Sequence, residues 1–116
     1  MAGTIVANTL NTDTGLFSTQ NAYQGIAKAW VFFNGTANTI TNSFNVGSIT
    51  KNGTGDYTIN FTTAMPNASF VTTALSTTIG ALYGSTQTTT FVRVAGYNSS
   101  FGLADSTAYG VAIFGN

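Results

Sequence analysis

Between residues 57 and 62 the chain reads Tyr-Thr-Ile-Asn-Phe-Thr, with a large apolar side chain at every second position. A period of two places Tyr57, Ile59 and Phe61 on one face of a strand and Thr58, Asn60 and Thr62 on the other. A helix would scatter the same residues around its circumference. Just upstream stands Lys51-Asn52-Gly53-Thr54-Gly55-Asp56, the clearest turn in the chain. The spacing therefore predicts a hairpin joining this strand to the preceding segment. That segment carries Phe44, Val46 and Ile49, interrupted by Asn45 and Gly47, where a bulge or bend is expected.

The same signals recur along the chain. Ile26 to Phe33 ends at Asn34-Gly35, a strong turn dipeptide. Alternation sets Ile26, Lys28, Trp30 and Phe32 against Ala27, Ala29, Val31 and Phe33. Both sets are largely apolar, which predicts a strand covered on both sides. Lys28, two residues from Trp30, reads as an exposed lysine laying its stem over apolar surface. Met65-Pro66-Asn67-Ala68 is a break, because Pro66 has no N–H for a ladder. Phe70 to Leu75, Thr89 to Ala95 and Tyr109 to Phe114 read as further strands, the last tying the C-terminal segment into a sheet. Residues 76–88 fit either a loop or a short strand. No segment has the period of an amphipathic helix. The expected fold class is all-β, a small antiparallel β-sandwich or barrel without substantial helix, formed by a single β domain at residues 25–116. Residues 1–24, rich in Thr and Asn, are expected to form an extended N-terminal arm that docks on a neighbouring subunit or on a larger particle.

Charge narrows the function. Only Lys28, Lys51, Arg93, Asp13, Asp56 and Asp105 carry a formal charge, which is 5% of the chain, and histidine and cysteine are absent. An average domain is about 25% charged. A neutral surface built from Thr, Asn, Ser, Gly and aromatics has little electrostatic protection against self-association. With nine Phe, five Tyr and one Trp, some aromatics are expected between subunits. Three cations are too few for phosphate-driven nucleic-acid binding. No apolar run reaches the length of a membrane span. Met1-Ala2-Gly3-Thr4 lacks the basic and apolar regions of a secretory leader.

Catalysis has few tools here. Serine hydrolysis lacks its histidine base, and thiolate or imidazole metal sites are impossible. Asp13-Thr14-Gly15 matches the tripeptide of aspartic proteases. It follows Asn11-Thr12 inside the polar arm instead of an apolar strand, and a turn is the better interpretation. Asn52 with Asp56 would be a poor beginning for a calcium site and fits a hairpin turn. The chain is therefore expected to be no enzyme, with no catalytic, cofactor-binding or metal-binding residues and no cofactor.

Residues 27–36, Ala-Lys-Ala-Trp-Val-Phe-Phe-Asn-Gly-Thr, and residues 43–67, Ser-Phe-Asn-Val-Gly-Ser-Ile-Thr-Lys-Asn-Gly-Thr-Gly-Asp-Tyr-Thr-Ile-Asn-Phe-Thr-Thr-Ala-Met-Pro-Asn, resemble a β module of tail-fibre-like virion proteins of tailed bacteriophages, including phages of aquatic bacteria and cyanobacteria. The ending Val111-Ala112-Ile113-Phe114-Gly115 is similar more loosely. The resemblance implies a non-enzymatic virion protein, a surface-displayed homotrimer in contact with other virion proteins and with host surface polysaccharide. Trp30 and Tyr97, with neighbouring Asn and Thr, are the side chains that would stack on sugar. For Trp30, a core or interface position is the stronger expectation. The chain shows no long shaft and no large adaptor domain, which keeps an alternative open: a capsid decoration protein whose arm grips the shell.

Overall fold

The computed structural model describes residues 3–6, 8–12, 15–18, 23–77 and 82–115. Among these residues ten strands follow one another: β1 (Thr9–Thr12), β2 (Gly15–Ser18), β3 (Ala29–Asn34), β4 (Thr39–Phe44), β5 (Val46–Gly53), β6 (Asp56–Phe61), β7 (Val71–Ser76), β8 (Leu82–Gln87), β9 (Phe91–Gly96) and β10 (Tyr109–Phe114). Among the described residues β1 and β2 pair only with each other. The other eight form two antiparallel four-stranded sheets, ordered β4-β3-β10-β7 and β5-β6-β9-β8. The ambiguous stretch 76–88 thus supplies β8. Both sheets keep open edges, so the architecture is the β-sandwich, and the barrel alternative is set aside.

The two sheets share one core. Ala29, Val31, Phe33, Val111 and Ile113 face Val46, Tyr57, Ile59, Val92 and Val94. Every second residue of β3 and β10 is buried, and in β6 Tyr57 and Ile59 are buried with Phe61 partly so, as a period of two requires. At one end Phe33, Tyr57 and Tyr109 pack with ring centroids 5.2–5.3 Å apart. At the other, the Phe61 and Phe70 rings meet edge to face at 5.7 Å, and Met65 is buried beside the proline break.

The chain changes sheets at Asn45. This residue has φ +55°, a left-handed conformation that asparagine tolerates better than most residues. Its amide nitrogen donates to the carbonyl oxygens of Lys28 and Thr63, both at 3.1 Å, and its oxygen accepts from Thr63 N–H at 2.7 Å. What the sequence marks as a bulge or bend is a corner between β4 and β5, with a register shift between Val46 and Ser48. The Asn52–Gly55 hairpin forms as expected, with Gly55 at φ +66°. A Cβ on Gly55 would come within 2.6 Å of the Ala104 nitrogen and the Gly96 oxygen. β10, the last strand, is central: it pairs with β3 on one side and β7 on the other.

One expectation for β3 is corrected. Ala29, Val31 and Phe33 are buried, but Trp30 and Phe32 on the opposite face remain 36% and 46% exposed. Among the described residues, the chain by itself covers this strand fully on one side only.

Candidate assembly face

The outer face of the β4-β3-β10-β7 sheet is built by register. Trp30 lies opposite Phe44 on β4 and Ala112 on β10, and Ala112 lies opposite Thr73 on β7. The next row runs Asn42, Phe32, Gly110, Leu75. Phe44 is 54% exposed, Leu75 79% and Val71 62%. Because the central strand contributes only Gly110 and Ala112 to these two rows, it forms the floor of a furrow there, with Phe114, opposite Val71, at its end. Trp30 and Phe32 make one wall, and Thr73 and Leu75 the other. Two adjoining cavities of about 300 and 240 Å³ occupy it; the second continues past Phe32 and Leu75 to Thr77 and Ala108. None of the residues lining the furrow is charged.

The outer face of the other sheet has a different chemistry. Asn60 donates to the hydroxyls of Ser48 and Thr50, both at 3.1 Å. Asn52 donates to Thr58 Oγ1 at 2.9 Å and to Asp56 Oδ1 at 3.2 Å. Arg93 grips Asp56 with two nitrogens, Nε at 2.8 Å from Oδ1 and Nη2 on Oδ2. The Arg93 guanidinium holds the Asp56 carboxyl below its ordinary value, with Asn52 adding to the effect against some burial. Asp56 is therefore committed to an ion pair, and Asn52 presents it a donor instead of a metal-ligating oxygen. Among the described residues no cluster of three or more His, Cys, Asp or Glu occurs.

A polar cap closes one end of the sandwich. Asp105 accepts from Gly55 N–H at 2.8 Å and from the Tyr57 hydroxyl, and it pairs with Lys51 at 2.6 Å. Lys51 also donates to Gly35 O at 3.1 Å. Burial opposes charge on Asp105, yet the donors Lys51, Tyr57 and Gly55 together hold its carboxyl down to about 2. Burial, and then the neighbouring Asp105, push the Tyr57 hydroxyl far above its usual range; burial likewise raises Tyr109. These groups support one another, and each has its partner within the cap. Nothing local in the sequence marks Asp105, a loop residue 54 positions from its lysine, as part of this cap.

The remaining expectations are scattered. Lys28 turns away from Trp30: its ammonium sits 3.5 Å from the centroid of the Tyr23 ring and donates to Tyr23 O. Trp30 belongs to the furrow of one sheet, whereas Tyr97 follows β9 of the other and pairs with Leu103. The two proposed stacking aromatics therefore do not converge on one site. Asp13 and Thr14 of the protease-like tripeptide lie outside the described residues. No helix among the described residues is long and apolar enough to cross a membrane. No family model, curated protein or solved structure matches the chain.

Proposed function

We propose that this chain is a non-enzymatic structural protein of a bacteriophage virion, of tail-fibre type, displayed on the particle as a homotrimer. The observation that carries the proposal is the uncovered apolar face of β3, β10 and β7 on a chain with almost no charge. Exposed aromatic and aliphatic residues in one contiguous patch are a feature of surfaces that bind other proteins. The virion assignment draws on the likeness of residues 27–36 and 43–67 to phage fibre modules. In this arrangement the apolar face turns toward other virion chains. The Asn and Thr lattice of the opposite sheet turns outward, where its hydroxyls and amides meet water and host polysaccharide.

A second assignment, a capsid decoration protein, is favoured by one feature of the arm. Ile5 and Val6 are 89% and 94% exposed, apolar groups suited to gripping a shell. Quantitative mass spectrometry of purified particles separates the two. A tail fibre is present in tens of copies or fewer, and a decoration protein in hundreds. Adsorption of the purified protein to host cells is expected for the fibre. Absence of the chain from purified virions would overturn both.

A further inference from the structure

We infer that the furrow is the seat of a second copy of this chain, with the Trp30–Phe32 ridge of one copy entering the Gly110–Ala112 floor of the next. This inference rests on the assembly reading above and names the contact.

Three observations carry it. The first is Gly110. Glycine within a strand weakens it and marks a bulge, a bend or the close approach of another chain. β10 pairs without interruption on both sides of Gly110, and its φ is not in the left-handed region. A Cβ there would meet a single side chain, Phe32, at 4.0 Å, an ordinary contact. Gly35 and Gly96 differ: a Cβ on either would collide with the Tyr109 ring or hydroxyl, and at Gly35 with the Tyr57 hydroxyl as well. The fold itself explains those two glycines and leaves Gly110 unexplained, unless its missing side chain makes room for something from outside.

The second observation is area. Phe44, Trp30, Phe32, Val71 and Leu75 at their observed exposures present roughly 600 Å² of apolar surface, against about 800 Å² per partner in a stable complex. That is the upper end of what monomers leave open. The third is self-complementarity. A ridge of two aromatics stands beside a furrow one strand wide, about 10 Å between β3 and β7. The chain therefore carries both halves of the contact. Among the described residues no charged side chain lines the furrow, so none of them loses its hydration when another copy covers it.

Sedimentation velocity at tens of micromolar, with circular dichroism on the same samples, tests the contact. The wild-type chain is expected to sediment as an oligomer of the 12.0 kDa subunit. Gly110→Val fills the floor with a residue that suits a strand, and Leu75→Lys sets a charge on the wall from a position that is not in the core. Both are expected to remain folded and to sediment as monomers, while Thr50→Lys on the opposite sheet keeps the wild-type size. A monomeric wild type, or folded Gly110→Val and Leu75→Lys proteins that retain its size, would overturn the inference. If one variant fails to fold, the other decides. A dimer would support the furrow contact and remove the trimer from the proposed function. Absence from virions would remove the function and leave the contact standing.

Discussion

The two sheets of this protein are alike in strand number and antiparallel pairing, and opposite on their outer faces. On the β5-β6-β9-β8 sheet the outward side chains that hydrogen-bond are polar, with the half-buried Phe91 beside Asn60. Ser48, Thr50 and Asn60 bond among themselves, as do Asn52, Thr58, Asp56 and Arg93. On the β4-β3-β10-β7 sheet the outward rows include Phe44-Trp30-Ala112-Thr73 and Asn42-Phe32-Gly110-Leu75, with Phe114 opposite Val71 beyond them. The inner faces obey one rule, exclusion of water, and look the same. The outer faces differ: one is a surface finished by its own hydrogen bonds, the other an apolar surface that the described residues leave open.

That contrast can be broken most sharply at two adjacent residues. Phe33 is fully buried against Tyr57 and Tyr109, whereas Phe32 stands on the furrow wall. Phe33→Ala is expected to lower unfolding stability by about 3–5 kcal/mol. Phe32→Ala is expected to cost less than about 1 kcal/mol in the isolated chain and to weaken self-association. Urea denaturation of both at low protein concentration checks this. Equal losses would mean that the outer face is already covered within one chain.

A smaller effect belongs to the polar cap. The Asp105 carboxyl is held down to about 2 in the folded chain, against about 3.9 when unfolded. Its contribution is present above pH 4 and is lost as pH falls toward 2. The shift corresponds to between about 2 and 3 kcal/mol by linkage. Asp105→Asn is expected to lose about that much at pH 7 and to flatten the stability profile between pH 4 and 2. Tyr57 and Tyr109 shift upward, so their contribution is present below pH 10 and declines above it. Thermal melts across pH 2–11 measure both limbs, and an unchanged acid limb in Asp105→Asn would contradict the assignment. The smallest effect is on the polar face. Asn60→Ala removes its bonds to two exposed hydroxyls and is expected to change stability by no more than about 1 kcal/mol, with oligomeric state unchanged.

Much of this molecule was legible one residue at a time. The alternation at Tyr57–Phe61, the turn before it and the apolar run at Tyr109–Phe114 each have a local cause, a side-chain period of two or a glycine that permits a turn. Asn45 was visible as an interruption. Whether it bends one strand or sends the chain to another sheet depends on the carbonyls of Lys28 and Thr63, which are 17 and 18 residues away. β8 was obscure because Gly84, Ser85 and the surrounding threonines lack an apolar alternation. It is a strand because β9 offers it a free edge.

From the sequence alone, then, came an all-β chain, its hairpins, a core drawn from alternate residues, and a shortage of charge that argues for association. Those properties follow from side-chain volume, branching and ionisation, which each residue carries wherever it lies. Tertiary structure alone decided that β10 lies between β3 and β7, so that Gly110 and Ala112 become a floor between walls. It also joined Asp105 to Lys51 and Tyr57, and left Trp30 and Phe32 uncovered. Strand order depends on closing loops across most of the chain's length, and no local pattern encodes which edge a distant strand will meet.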